Sequence, residues 1–420
     1  MATTDKAITF DEQVDLKVRD RSKDMDIEVD VAESNPELDS FEQMEDGSIE
    51  FGAPLPPMDN TDFYANLADI IDDSDLNSLK NDLMGNIEAD KESRSDWEKT
   101  YRNGLEYLGM KYEERSAPFE GASGVMHPLL AESVTQFQAQ AYNELLPSQG
   151  PVKTQVLGMT TPETEQQASR VQEFMNYQLM QVMKEYDPET DQMLFYLPLS
   201  GSAFRKVYYD QNLGRAVSKF IPSEDLIVPY AATDLHSATR ITHVINMSMN
   251  DIRKLQQVGF YSDVKIDSAS MMADETDEIQ EEIDELQGVS PSYGDDDTCK
   301  VHEIHTELDI PGFEDMNAQG EETGIKLPYI VTIANNKVLS IRRNYKENDQ
   351  LKQRTNYFVH YKFLPGLGFY GFGLTHMIGG LSKASTSILR QLIDAGTLSN
   401  LPAGFKARGI RIRNDDQPLQ

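Results

Sequence analysis

Ala203-Phe-Arg-Lys-Val-Tyr-Tyr209 and Arg215-Ala-Val-Ser-Lys-Phe-Ile221 flank Asp210-Gln-Asn-Leu-Gly214, and their alternation is that of strands half-buried on one face. A loop of this length ending in glycine makes the pair an antiparallel hairpin. A second hairpin is predicted from Pro328 to Arg343, with Asn335-Asn336 at its tip, because asparagine tolerates the positive φ that tight turns require. Val301 to Leu308 also alternates and reads as a strand.

Outward from these strands the period changes from two to three and four. Leu67, Ile70, Ile71, Leu79 and Leu83, then Trp97, Tyr101, Leu105 and Leu108, fall on one face of short amphipathic helices. Pro128 and Pro147 bracket a helix carrying Leu129, Leu130, Val134, Phe137, Ala141 and Leu145. Another opens at Thr161-Pro162 and carries Val171, Phe174, Met175, Leu179, Val182, Met183 and Tyr186; both are read as core helices, their apolar stripes as packing. Ser248 caps a short helix with Ile252, Leu255 and Val258, stopped by Gly259. The fold class expected is α+β with antiparallel sheets.

Leu364-Pro-Gly-Leu-Gly-Phe-Tyr-Gly-Phe-Gly373 precedes Leu374, Met377, Ile378, Leu381, Ser385, Ile388, Leu389 and Leu392 at helical spacing. Gly366, Gly368, Gly371 and Gly373 read as a hinge feeding a long helix that stops at Gly396. Lys406, Arg408, Arg411 and Arg413 then make a basic stretch.

With 420 residues, 39% of them apolar, the chain can bury a substantial core. No stretch reaches the roughly 18 uncharged apolar residues of a membrane span, and Met1-Ala-Thr-Thr-Asp-Lys6 lacks a secretory layout. The single cysteine, Cys299, excludes an internal disulfide. A net charge of -33 argues against tight DNA binding, since such a surface repels phosphate. The imbalance concentrates in residues 1–62, with 18 acidic against 5 basic side chains, and between Asp274 and Asp297, with 11 acidic and none basic. The first segment is read as an acidic disordered tail, either a plain solvated extension or one that orders on a partner. The second belongs to an insertion at about 267–298, whose helix has only a thin apolar edge of Ile279, Ile283 and Leu286. It is read as exposed, with an acidic surface that holds DNA or a neighbouring subunit at a distance as the alternative.

Catalytic groups do not converge in the sequence. Gly371-Phe-Gly373 lacks the lysine-serine/threonine ending of a phosphate loop and the third glycine of a dinucleotide fingerprint. His302-Glu-Ile-His305 is the best metal candidate, yet a strand sends the two histidines to opposite faces. Gly121-Ala-Ser-Gly124 is not a nucleophile elbow and reads as a tight loop, with His127 close by. No catalytic residue, metal or cofactor is expected.

A block of many positions carries a family resemblance. It comprises Trp97, Tyr101, Gly104-Leu105, Leu108-Gly109, Phe119-Glu-Gly-Ala-Ser-Gly-Val-Met-His-Pro-Leu-Leu-Ala-Glu132, Gln140-Ala141, Glu144-Leu-Leu-Pro147 and Gly150-Pro-Val-Lys153. Together with Ile221-Pro-Ser-Glu-Asp-Leu-Ile-Val228 and Gly371-Phe-Gly373 before a helix, it resembles the portal proteins of tailed bacteriophages, of the podovirus type. The resemblance runs from Trp97 to the end of the chain.

That resemblance implies a non-enzymatic subunit of a ring of about twelve copies at one capsid vertex, through which double-stranded DNA passes without sequence-specific contact. It implies a wing of helices and antiparallel hairpins over 63–370, a glycine hinge and stem helix over 371–398, and the start of a clip over 399–420. The chain would then be truncated before the remaining clip, the return stem helix and the crown. Implied partners are further copies of the chain, terminase, scaffold, capsid and head-completion or tail proteins, with no membrane; the location is the virion, and the host cytoplasm during assembly. Lys383, Arg390, Lys406, Arg408, Arg411 and Arg413 are the candidate channel or motor-docking cations. An ordinary solvated basic strand is the alternative for the last four. The alternative functions are another phage head or connector structural protein, or a metal-dependent hydrolase.

Overall fold

Both predicted hairpins form. In this computed structural model the first is β1 (Ser202–Asp210) with β2 (Arg215–Ile221), in register from Phe204 opposite Ile221 to Asp210 opposite Arg215. The remaining strands are β3 (Leu226–Ile227), β4 (Arg240–Ser248), β5 (Thr298–Leu308), β6 (Leu327–Ala334), β7 (Lys337–Arg343) and β8 (Phe358–Lys362). The second hairpin is β6–β7, and Asn335 and Asn336 hold φ of 44° and 63° at its tip. One antiparallel sheet has the order β2-β1-β8 and the other β3-β4-β5-β6-β7.

The helices are α1 (Asp73–Ser93), α2 (Ser95–Tyr107), α3 (Leu129–Leu145), α4 (Pro162–Tyr177), α5 (Tyr186–Ser200), α6 (Met249–Gln257), α7 (Glu278–Gln287) and α8 (Leu374–Asn400). The structure describes residues 63–110, 115–117, 119–210, 213–266, 278–288, 298–316, 322–366 and 368–400. The acidic stretch 1–62 and the basic residues Lys406, Arg408, Arg411 and Arg413 lie outside them.

Alternation along β5, β6 and β7 turns Ile304, Tyr329, Val331 and Ile341 to one face, where they are fully buried and meet Leu83 and Ile87 of α1. The two sheets meet through β8. The Phe358 ring lies edge-on to His243 of β4 and His305 of β5, at 5.9 and 4.9 Å. Arg94, between α1 and α2, donates to the carbonyls of Ser223, Glu224 and Leu226 at 3.1, 2.6 and 2.9 Å, and so ties the helices to the turn entering β3. On the other side α5 buries Met193, Leu194, Leu197 and Leu199, and α2, α3 and α8 pack on it.

Four expectations change. The long helix α8 does not stop at Gly396 but runs through it to Asn400, because one glycine in a helix interior costs only about 1 kcal/mol. The helix opening at Thr161-Pro162 does not run on to Tyr186: a π-turn at Gln178–Val182 ends it, and a new helix begins at Tyr186. Pro188 falls in the first turn of the new helix, where its missing N–H has no intrahelical partner to lose. Nor is α4 a core helix, since it buries none of its residues. Finally, α7 is docked. Ile279 is 3% exposed among Tyr101, Leu105 and Leu130, with Ile283 and Leu286 packed beside it. The thin apolar edge suffices because α2 supplies a matching one, and burying a single isoleucine contributes about 1.5–3 kcal/mol.

Candidate functional site

The glycine run is a backbone crossing. Gly201 ends α5 in the left-handed conformation, φ 87°, and residues 371–373 pass directly over it. A Cβ on Gly373 would lie 2.6 Å from the Leu199 carbonyl oxygen and 2.8 Å from that of Pro198; Gly371 and Gly201 have no room for one against each other. Gly366 is closed off by the Tyr370 carbonyl at 2.8 Å, and only Gly368 of the four candidate hinge positions has open space. The Gly371 N–H donates to Ser202 Oγ at 2.8 Å and the Phe372 N–H to the Leu364 carbonyl at 2.9 Å. Space, not free rotation, is what requires glycine at 366, 371 and 373, and the crossing fixes where α8 starts.

From there α8 is seated on the body by small and polar groups. Thr375, Gly379, Ser382 and Thr386 are its buried residues. Thr375 packs on Gly104 of α2 and its hydroxyl donates to the Leu199 carbonyl at 2.9 Å, while Gly379 faces the Tyr107 ring. Further along, the extended segment 123–127 is zipped to the helix. The Ser123 N–H donates to Asp394 Oδ1 at 2.7 Å, Arg390 Nε to the Val125 carbonyl at 2.8 Å, and the His127 N–H to Thr386 Oγ1 at 3.0 Å. The spacing matches: four helical residues rise about 6 Å, and two extended residues span about 6.6 Å.

This arrangement leaves α8 inverted. Met377, Leu381, Ile388 and Leu392 lie opposite the buried row and face outward, Ile388 with 66% of its surface exposed. Its charged side chains Lys383, Arg390 and Asp394 fall on one flank. Lys383 sits 5.8 Å over the Tyr107 ring, and Arg390 and Asp394 bond to segment 123–127. The two candidate cations on this helix therefore lie beside their own chain, Arg390 as a structural link.

The same inversion appears in α4. Thr164, Ala168, Gln172 and Asn176, four residues apart, form its inner row, and the segment 152–154 beside it is held by polar bonds. Among these, Thr154 Oγ1 donates to the Ala168 carbonyl at 2.9 Å, and the Val152 N–H donates to Asn176 Oδ1 at 2.9 Å. Val171, Phe174, Met175 and Tyr177 point outward, Phe174 with 62% of its surface exposed. The open cleft along the inner row, about 500 Å³, is lined by Thr154, Gln155, Glu165, Ser169 and Gln172 among others, and brings no catalytic pair together.

The histidine pair divides as strand geometry predicts. His305 is buried on β5, where its Nε2 donates to Glu303 Oε1 at 2.7 Å and Asn344 lies 3.4 Å from its Nδ1, while His302, three residues back, falls on the opposite face. Glu303 also accepts from Lys206 Nζ at 2.6 and 2.7 Å. Burial works against the Glu303 carboxylate, but Lys206 and His305 outweigh it and hold its pKa well below the usual carboxylate range. Burial also lowers His243, on the neighbouring strand, to about 3, with Lys206 adding to the effect. This ionic cluster joins the two sheets. Its members Lys206 and His243 escaped the sequence reading, because nothing local marks residues brought together by β1, β4 and β5. Among the described residues, no group of three or more His, Cys, Asp or Glu side chains is placed to hold a metal ion, and no helix is long and apolar enough to cross a membrane.

No family model matches the chain, and no curated protein matches it.

Proposed function

We propose that the chain is a portal subunit: copies of it close a ring at one vertex of a phage head, and the duplex genome passes through that ring. The observation that carries this reading is the inverted helix α8. A helix with a small, polar face inward and an uncharged apolar face outward is incomplete in a single copy, and the hydrophobic effect favours covering that face.

The residues of the portal-like block support the reading by where they meet. Trp97, Gly104, the 123–127 segment and Gly371-Phe-Gly373 are distant in sequence, yet they gather around α8: Gly104 and segment 123–127 form its seat, and the Trp97 ring stacks on Tyr370 at 4.5 Å just before its start. Charge supports it as well. At -33 per copy a ring wall repels the DNA backbone and lets it slide, where a clamp would need a cationic surface. On this reading terminase, scaffold and tail-completion proteins dock at the rim, and Lys406, Arg408, Arg411 and Arg413 are the docking candidates.

The test is the mass and symmetry, by light scattering and negative-stain imaging, of this chain and of a version extended through its natural reading frame, the extended version being decisive. Closed rings of about twelve copies are expected. An extended version that stays monomeric at high concentration contradicts the proposal.

A further inference from the structure

The two inverted helices carry more than the presence of neighbours. We infer that they are the two halves of one interface, the outward face of α4 on one copy covering the outward face of α8 on the next.

Size comes first. Met377, Leu381, Ile388 and Leu392 on α8, and Val171, Phe174, Met175 and Tyr177 on α4, are all about half exposed or more. Leu157 and Met159, each 89% exposed, extend the α4 patch. Covering these side chains removes roughly 1,000 Å² from water, the area at which a specific interface begins to hold.

Charge then selects the pairing. Outside the cleft side of α4 lie Glu163 and Glu173 against Arg170, and α8 carries Lys383 and Arg390 against Asp394. Two α4 faces brought together would set acid against acid, and two α8 faces would set base against base. The mixed pair is attractive; the α8 row has no charge within it, while Arg170, four residues before Phe174 and seven before Tyr177, stands within the α4 row. For a chain at -33 this is a place where two copies meet with opposite net sign. Because the faces belong to different helices, the contact is heterologous, and each copy uses one face on each side. Such a contact propagates until its rotation closes a ring or runs on as a filament. Closure, as distinct from the pairing, rests on the portal reading.

Cysteine cross-linking tests the pairing directly, because the native Cys299 is buried. Phe174→Cys is combined in the full chain with Leu381→Cys, Ile388→Cys or Leu392→Cys, beside each single variant, and treated with a short bis-maleimide. At least one double variant is expected to give a ladder of dimer, trimer and higher species, with the single variants monomeric. Dimers from single variants would mean like-with-like pairing and overturn the inference. Monomer in every variant, the result if each face is covered by its own chain or by a foreign partner, would overturn it too. Val171→Asp supplies an independent readout: self-association weakens at least tenfold while the unfolding midpoint stays where it was, and unchanged association would overturn the pairing. Rings without a mixed ladder would remove this inference and leave the portal reading standing, whereas a mixed ladder that never closes would keep the inference and count against the ring.

Discussion

Gly201 and Gly371 cross backbone against backbone, so tightly that neither has room for a side chain. The crossing sets the origin of α8, so the placement of the whole helix depends on it. Gly373→Ala, facing the Leu199 and Pro198 carbonyls, is expected to lower stability by about 1–3 kcal/mol through overpacking. Gly368→Ala, with open space around it, should stay within about 0.5 kcal/mol. Urea unfolding of both variants is the check. Equal, small effects would restore the hinge reading of the glycines.

Arg390 is expected to behave as a structural residue. Arg390→Ala removes the bond to the Val125 carbonyl and loosens the zipper of segment 123–127, at a cost of about 1–2 kcal/mol. A cation serving only the channel would leave the unfolding midpoint unchanged.

Acid should weaken the protein earlier than carboxylates alone would. Burial lowers His243 and His360 to about 3, so both remain neutral when folded, but each takes up a proton below about 6.5 once unfolded. The unfolded state then binds more protons. Stability is full above about pH 6.5 and falls as the pH drops toward 3, by about 1.4 kcal/mol per pH unit for each histidine. Glu303, held below its ordinary range by Lys206 and His305 against the cost of burial, adds a further loss once the pH falls below about 4.5. Unfolding midpoints at pH 7, 6 and 5 measure the slope, and His243→Asn should flatten it by one histidine's share.

The acidic helix α7 is expected to resist proteolysis as part of the body. Ile279→Ser opens its contact with Tyr101 and Leu105, and should expose residues 278–288 to cleavage at low protease concentration while the two sheets stay protected. An exposed insertion would be cut equally fast in both proteins.

Both hairpins and the cap at Ser248 were legible in the sequence because their signals are local: alternation, Asn335-Asn336 at a tip, and a hydroxyl that accepts from the Asp251 N–H. The start of α8 was legible for the same reason, but its end was not, since the helix runs through Gly396 to Asn400. Nor was its orientation, because a helical stripe of Met377, Leu381, Ile388 and Leu392 has the same spacing whether it faces inward or outward. What turns it outward is the fit of Thr375 against Gly104, and of Thr386 and Asp394 against an extended segment more than 250 residues earlier. Periodicity failed at α4 in the same way. The ionic cluster was half visible, as Glu303 and His305, but its counter-charge Lys206 lies 97 residues away on the other sheet.

The most direct test of the ring account is the particle itself, imaged and weighed for the purified chain extended through its natural reading frame. The account predicts closed rings of about twelve copies that keep their mass on dilution. A monomer, or a small oligomer without a central opening, would contradict it.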